Sequence, residues 1–288
     1  MDAAADIIIL TFNKCQYTEF CLKGLLRTQY RPLHVILVDN GSEDRTPELL
    51  SQFKGDAESQ DIDVTLITNS ENIGAIEGRN QALKKCKGEY VIFMDNDVVP
   101  VASTWITSLV SFLHTEENSG AVSPKLIYPA EPYLIQCAGC DVSPSGRVNF
   151  RGRGVQRAEP EFSSITKVQA LITACMAVPS YVIKEVGMFD PLFSPVQFED
   201  IDYCYRIKET GRDLYCFPEV EMYHFENVTT SRSLTLNPVY NTVKNGVKFK
   251  KKWEHVFFRE NGPDEKTMEW KDIETVDITD IDSKTIFG

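Results

Sequence analysis

A chain of 288 residues with 42% hydrophobic and 25% charged content can bury a substantial core and describes an ordinary globular protein. Its formal net charge of -12 excludes a generic nucleic-acid binder, because neutralising phosphates requires a basic surface. The N-terminal MDAAADIIILTF has no basic leading region, its apolar run is too short for a signal peptide or a bilayer span, and no later run is long enough either.

In chain order, Asp6 to Phe12 reads as a buried strand, Tyr17 to Thr28 as a helix, and His34 to Asp39 as a second apolar strand ending in the turn Asn40-Gly41-Ser42. Thr46 to Lys54 is helical and Val64 to Thr68 extended. Gly74 opens a helix running to about Lys87, and Tyr90 to Met94 is the next strand. This β-α-β-α-β-α-β alternation predicts an α/β fold with a mostly parallel central sheet flanked by helices. Farther on, the pattern predicts a helix over Ser103 to His114 and a strand over Ala121 to Leu126. A loop bearing Gly and Arg follows from Gly139 to Gly154, then a strand over Ala170 to Val178 and a helix over Glu199 to Glu209. Leu214 to Phe217 and Val220 to Phe225 read as two extended pieces.

From about Asn237 the pattern is a basic amphipathic helix, followed by an acidic, weakly patterned tail from Asp264 to Gly288. That tail is expected to be flexible or to pack on a partner subunit. The lysines of the helix suit either a solvated face or contact with anionic lipid headgroups. Eight cysteines scattered along the chain fit a reduced cytoplasmic protein, and Cys137 and Cys140, lacking a second ligand pair at zinc spacing, are expected to be unpaired thiols.

The most informative stretch is YVIFMDND, Tyr90 to Asp97, in which an apolar strand ends in two carboxylates flanking Asn96. Alternation along an extended backbone lets Asp95 and Asp97 point the same way at the strand's end, where parallel α/β sheets place their ligands. Two hard oxygen donors there suit Mg²⁺ or Mn²⁺ holding a diphosphate. Thr11, Asn13, Asp39 and Arg79 fall at neighbouring ends of the same sheet and could read a nucleotide's base and ribose. Thr11, Asn13 and Asp39 also have ordinary structural uses, the first two as loop or cap residues and Asp39 as a turn-initiating residue.

Seven pieces in order resemble the family 2 glycosyltransferases, in particular their rhamnosyl- and galactofuranosyltransferase-like branch. They are Ile9 to Asn13, Val38 to Thr46, Asn72 to Leu83, Phe93 to Asp97, Gly187 to Phe193, Glu199 to Arg206 and Tyr223 to Glu226. The resemblance spans Asp6 to Thr230 and implies the GT-A type nucleotide-diphospho-sugar fold over residues 1–232. Residues 233–288 are then a C-terminal helical extension and tail. It further implies that Asp39 meets the nucleobase with Arg79 nearby, and that Asp95, Asn96 and Asp97 face the ribose and the metal. His224 would join the metal in the manner of some members, although alternation with Val220 and Met222 equally suits a core histidine. Asp200 would be the general base, with Glu199 and Asp202 as acceptor contacts; for Glu199 and Asp200 a helix-start role is the competing reading.

The expected activity is therefore a metal-dependent inverting transfer of a sugar from a UDP- or dTDP-sugar to a hydroxyl of a glycan or glycolipid. The expected place is cytoplasmic, with peripheral contact at the inner membrane face through Lys244 to Arg259 and a homo-oligomer left open. Two alternatives stand beside it. One is a nucleotide-sugar-binding module without turnover. The other is a sugar-phosphate nucleotidyltransferase, whose glycine-rich basic loop after the first strand is replaced here by TFNKCQYTEF.

Overall fold

The computed structural model describes residues 3–226 and 238–287. Its first half is the predicted alternation: strands β1 (Ala5–Thr11), β2 (Leu33–Asp39), β3 (Ile62–Thr68) and β4 (Tyr90–Asp95), separated by helices α1 (Cys15–Leu26), α2 (Thr46–Glu58) and α3 (Ala75–Leu83). β1 pairs in parallel with β2 on one side and with β4 on the other, and β3 extends the sheet beyond β2. The chain thus reverses its direction of travel across the sheet between β3 and β4. The carboxyl ends of β1 and β4 border the crevice this reversal opens, with Thr11 beside Asp39 and Leu10 beside Asp95.

Near-continuous apolar sequences such as ADIIILT and LHVILVD form these strands because helices cover both faces of a parallel sheet. Asp6 is the exception in β1. It is buried, yet its carboxylate accepts the backbone N–H groups of Lys87 and Gly88 at 2.7 and 2.6 Å and lies 2.7 Å from His34 Nδ1. These contacts satisfy a carboxylate that would be costly to bury alone, and they fasten the turn before β4 to the start of β1.

The second half comprises β5 (Val98–Pro100), α4 (Trp105–Thr115), β6 (Ser119–Ile127), β7 (Ile135–Cys137), β8 (Cys140–Val142), β9 (Val148–Phe150), β10 (Thr166–Val168), β11 (Cys175–Pro179), α5 (Ser180–Val186), α6 (Glu199–Glu209) and β12 (Asp213–His224). The main sheet runs β10-β12-β6-β11-β4-β1-β2-β3, with β5 on β12 and β7 on β6, while β8 and β9 form a separate hairpin. The strand predicted over Ala170 to Val178 is shorter at its start: Asp95 N–H bonds to Ala174 O, and residues 171–174 run as a loop. The two pieces expected between Leu214 and Phe225 are one strand, because a register shift between Phe217 and Glu221 carries the pairing with β6 past Pro218. All eight cysteines are free thiols.

Helix α7 (Pro238–Glu260) turns a stripe of Asn241, Asn245, Phe249, Trp253 and Phe257 inward at four-residue spacing. Phe249 and Trp253 meet Tyr205 of α6, with ring centroids 5.3 and 5.6 Å apart, and these α7 side chains belong to the main core. The acidic tail also packs on its own chain. Ile278 and Ile286, the latter on α8 (Ser283–Phe287), join Val99, Ile127, Tyr223 and Phe225 in a second apolar cluster. The boundary expected at residues 232 and 233 lies outside the described residues. Among the described residues no helix is long and apolar enough to cross a membrane.

Candidate active site

A cleft of about 910 Å³ opens at the crevice beside β1 and β4, at the large end of the roughly 300–1,000 Å³ common for small-molecule sites. Its walls include Thr11, Asn40, Arg79, Asp95, Asn96, Asp97, Glu199, Asp200 and His224, so most of the residues singled out in the sequence converge on one cavity.

Arg79 is the centre of the polar network. A Cβ at Gly78 would stand 2.5 Å from Leu10 Cδ1, so glycine lets α3 lie against β1 without displacing that side chain. From the next position Arg79, 7% exposed, donates one guanidinium nitrogen to Asp95 Oδ1 at 2.8 Å and another to Glu199 Oε1 at 3.0 Å. This cation ties the end of β4 to the start of α6, 120 residues away. Glu199 is buried, its second oxygen has no protein partner, and burial raises its pKa against the pull of Arg79.

Asp200 sits beside it with one oxygen accepting the Ile201 N–H at 2.8 Å. Burial first, and the neighbouring Glu199 carboxylate second, push its pKa up to about 7. The turn that presents both carboxylates is strained: Gln197 and Phe198 have φ of 84° and 70°, a region unfavourable to side chains of this size. Asn245 of α7 holds this turn, its Nδ2 donating to the carbonyls of Phe193, Val196 and Gln197 at 2.6, 2.9 and 3.1 Å, while Phe198 packs on Phe249.

At the end of β4, ligand atoms of Asp95, Asp97 and His224 all lie within 4.8 Å of one another. His224 comes from the last residue of β12, which pairs with β5 just beyond Asp97. Its Nδ1 meets Gln136 Oε1 at 2.9 Å and its Nε2 faces Asp97 Oδ1 at 3.3 Å. Burial alone would lower the His224 pKa; Asp97, Asp95 and Glu226 outweigh it and raise the value to about 9. Two carboxylates and an imidazole fixed by an amide fit a divalent cation of the Mg²⁺ or Mn²⁺ kind.

The remaining predicted residues are placed as follows. Asn96 lines the cleft and donates to Thr18 Oγ1 at 2.8 Å. Thr11 lines it too, its hydroxyl donating to Val38 O. Asp39 is buried behind Asn40, accepting the Ser42 N–H at 2.9 Å, and Asn13 caps the same turn by accepting from Glu43 and Asp44. Asp202 lies away from the cleft wall. It is fully buried, accepting Arg206 Nε at 3.0 Å, Trp253 Nε1 at 2.8 Å and Lys252 Nζ at 2.7 Å, so its carboxylate joins α6 to α7. Cleft residues with no motif to flag them are Gln136, Arg147, Phe150, Thr173 and Trp270. Arg151 and Arg153, in the Gly- and Arg-bearing loop, are paired with Asp141 and Glu226.

The family model described as Glycosyl transferase family 2 matches residues 6–144. A β-1,3-glucosyltransferase of Escherichia coli, WfaP, named for transfer from UDP-Glc to α-D-GlcNAc-diphosphoundecaprenol, is 32% identical over 196 residues, 68% of this chain and 66% of that one. A pre-mycofactocin glycosyltransferase of Mycobacterium tuberculosis is 28% identical over 66% of this chain and 37% of its own. An uncharacterized protein of Sinorhizobium fredii, y4gI, is 27% identical over 78% of this chain but only 24% of its own length. The chain thus corresponds to less than two thirds of these relatives, and to a quarter or so of y4gI. Among solved structures, GalNAc-T7 with UDP, GalNAc and Mn²⁺ superposes with a TM-score of 0.70 at 18% identity, over 88% of this chain and 50% of that one. The Pyrobaculum calidifontis mannosyltransferase PcManGT with GDP-Man and Mn²⁺ gives 0.59 at 17%, over 91% and 73%. At such identities the superpositions establish a shared GT-A fold.

Proposed function

The chain belongs to glycosyl transferase family 2, and on that premise we propose that it is a metal-dependent inverting glycosyltransferase moving a sugar from a UDP- or dTDP-sugar to a hydroxyl of a glycan or lipid-linked glycan. The observation that carries the reading is Asp200: a carboxylate with no side-chain partner and a pKa near 7, in the same cleft as the Asp95, Asp97 and His224 cluster. The named activity of the WfaP relative supports the choice of a UDP-sugar donor and a diphospholipid-linked acceptor. The rhamnosyl-like branch remains one option for the donor sugar.

Asp95, Asp97 and His224 would hold Mn²⁺ or Mg²⁺, which when bound neutralises charge on the leaving diphosphate. The rest of the work falls to the chain. Thr11, Asn13, Asp39, Arg79 and Asn96 form or brace the nucleotide end of the cleft, and Arg79 keeps Asp95 and Glu199 at fixed separation. Asp200, ionised above neutral pH, takes the proton of the acceptor hydroxyl. The hydroxyl oxygen forms its bond to the anomeric carbon as the bond from that carbon to the diphosphate oxygen breaks, which inverts the configuration. The unpartnered oxygen of Glu199 is available to an acceptor hydroxyl, and Asp202 serves by anchoring α6.

Residues 1–232 make up the transferase unit in this reading, with residues 233–288, which include α7 and the tail, as its C-terminal brace. Val239, Tyr240, Val243 and Val247 form an exposed apolar stripe on α7, beside Lys244 and close to the exposed Lys250 and Lys251, which supports peripheral contact with an anionic membrane. Thermal-shift measurement with a panel of nucleotide sugars, with and without Mn²⁺, tests the donor site. Stabilisation by a UDP- or dTDP-sugar that requires the metal is the expected result, and the absence of any shift at saturation would remove the reading.

A further inference from the structure

We propose that Trp270, carried by the C-terminal tail, is the platform on which a pyranose ring of the acceptor stacks. This rests on the transferase reading. Of the three tryptophans, Trp105 and Trp253 are buried while Trp270 is 43% exposed and stands in the wall of the cleft. A lone exposed aromatic residue is unremarkable on most surfaces. Trp270 differs in being locked in place.

The Arg153 guanidinium lies 4.1 Å from its ring centroid, and Arg153 is itself only 7% exposed. That guanidinium forks onto Glu226 at 2.7 and 3.1 Å, and its Nε donates to Lys271 O at 2.9 Å, pinning the backbone on one side of the indole. Tyr128 donates to the same Glu226 carboxylate at 2.8 Å. On the other flank Phe150, also in the cleft wall, meets Trp270 with centroids 5.3 Å apart and planes at 61°.

The product is a rigid aromatic surface in a cleft with polar groups close by. The C–H bonds on one face of a pyranose carry partial positive charge and suit the negative face of an indole, whereas phosphate or a nucleobase edge would gain little from it. The acceptor is favoured over the donor because the nucleotide end is built from β1, β2, α3 and β4. Trp270 instead meets Phe150 of the β8–β9 hairpin, whose Arg147 and Val148 also line the cleft.

Because the other two tryptophans are buried, acrylamide-accessible fluorescence reports on Trp270, with Trp270→Phe as the control that removes it. The probes are methyl glycosides of glucopyranose, galactopyranose, N-acetylglucosaminopyranose and rhamnopyranose. At least one should lower the accessible quenching about twofold, and for transfer to that glycoside Trp270→Ala should raise KM about tenfold, with Trp270→Phe close to the parent. The nucleotide-dependent thermal shift should be the same in all three proteins. Absence of protection by every glycoside, or an unchanged KM in Trp270→Ala, overturns the proposal. Protection of Trp270 in a protein that no nucleotide sugar stabilises would instead overturn the transferase reading, since the fluorescence needs no donor.

Discussion

The two halves of the cleft are built in different ways. At one end, Thr11, Asp39 and Asp95 sit at adjacent termini of β1, β2 and β4, so strand register sets their positions and side-chain bonds such as Arg79 to Asp95 only refine them. At the other end, α6 is held by α7, Gln136 fixes His224 from 88 residues away, and Arg153 fixes a tryptophan on the tail. A site set by strand register tolerates side-chain changes around it, and its substitutions act on ligands. A site set by side-chain bonds between distant segments couples binding to stability, so its substitutions act on both.

The largest expected effect lies where the halves meet. Asp200→Asn should lower transfer by about 10²- to 10⁴-fold, the usual contribution of a general base, while nucleotide-dependent stabilisation persists. With the parent protein, log kcat/KM should rise with unit slope up to about pH 7 and then level off, because the ionised form is the competent one. The sign for stability is opposite. A carboxyl whose folded pKa is raised binds its proton more tightly in the native state, so stability falls as pH climbs from the unfolded value toward 7. Thermal melts at pH 8 should therefore find Asp200→Asn more stable than the parent, with the gap closing below about pH 4. Equal melting at both would break the coupling drawn here.

Metal chelation should act where the halves join, because Asp95 belongs to one and His224 to the other. EDTA should abolish both transfer and nucleotide-dependent stabilisation, restored by Mn²⁺ or Mg²⁺, while the melting of the ligand-free protein stays put. In contrast, Asp202→Ala should cost about 3–5 kcal/mol of stability, because Lys252 and Arg206 lose a fully buried partner. Denaturant unfolding would read that loss, and any remaining folded fraction should bind donor normally. The smallest effect belongs to the outer surface of α7: replacing Lys250 and Lys251 with Gln should weaken binding to anionic vesicles by about 1 kcal/mol each, and unchanged sedimentation would assign these lysines to solvent.

The same contrast explains what the sequence could convey. Asp95 and Asp97 were legible because an apolar strand of period two ends on them, and α3 because Gly74 announces it. α6 was legible to the residue. Asp202 read as a site residue because it shares a motif with Asp200, yet two positions along the helix turn it to the opposite side, toward Trp253. Gln136 and Trp270 carry no local pattern at all; their placement depends on His224 and Arg153, about 90 and 120 positions away. The tail's buried Ile278 and Ile286 were equally silent, as isolated apolar residues among acids have no period to reveal them.

The turn at Gln197 and Phe198 has a consequence for how the molecule is made. Left-handed backbone at such residues costs roughly 1–3 kcal/mol each, and the three bonds from Asn245 that offset it come from the final fifth of the chain. During synthesis the nucleotide crevice can assemble as soon as β4 has emerged from the ribosome, since all four of its strands are then present. Asp200 gains its clamp only when α7 follows. The nascent chain thus passes through an interval in which the first four strands can pair while the turn that carries Asp200 still lacks its brace.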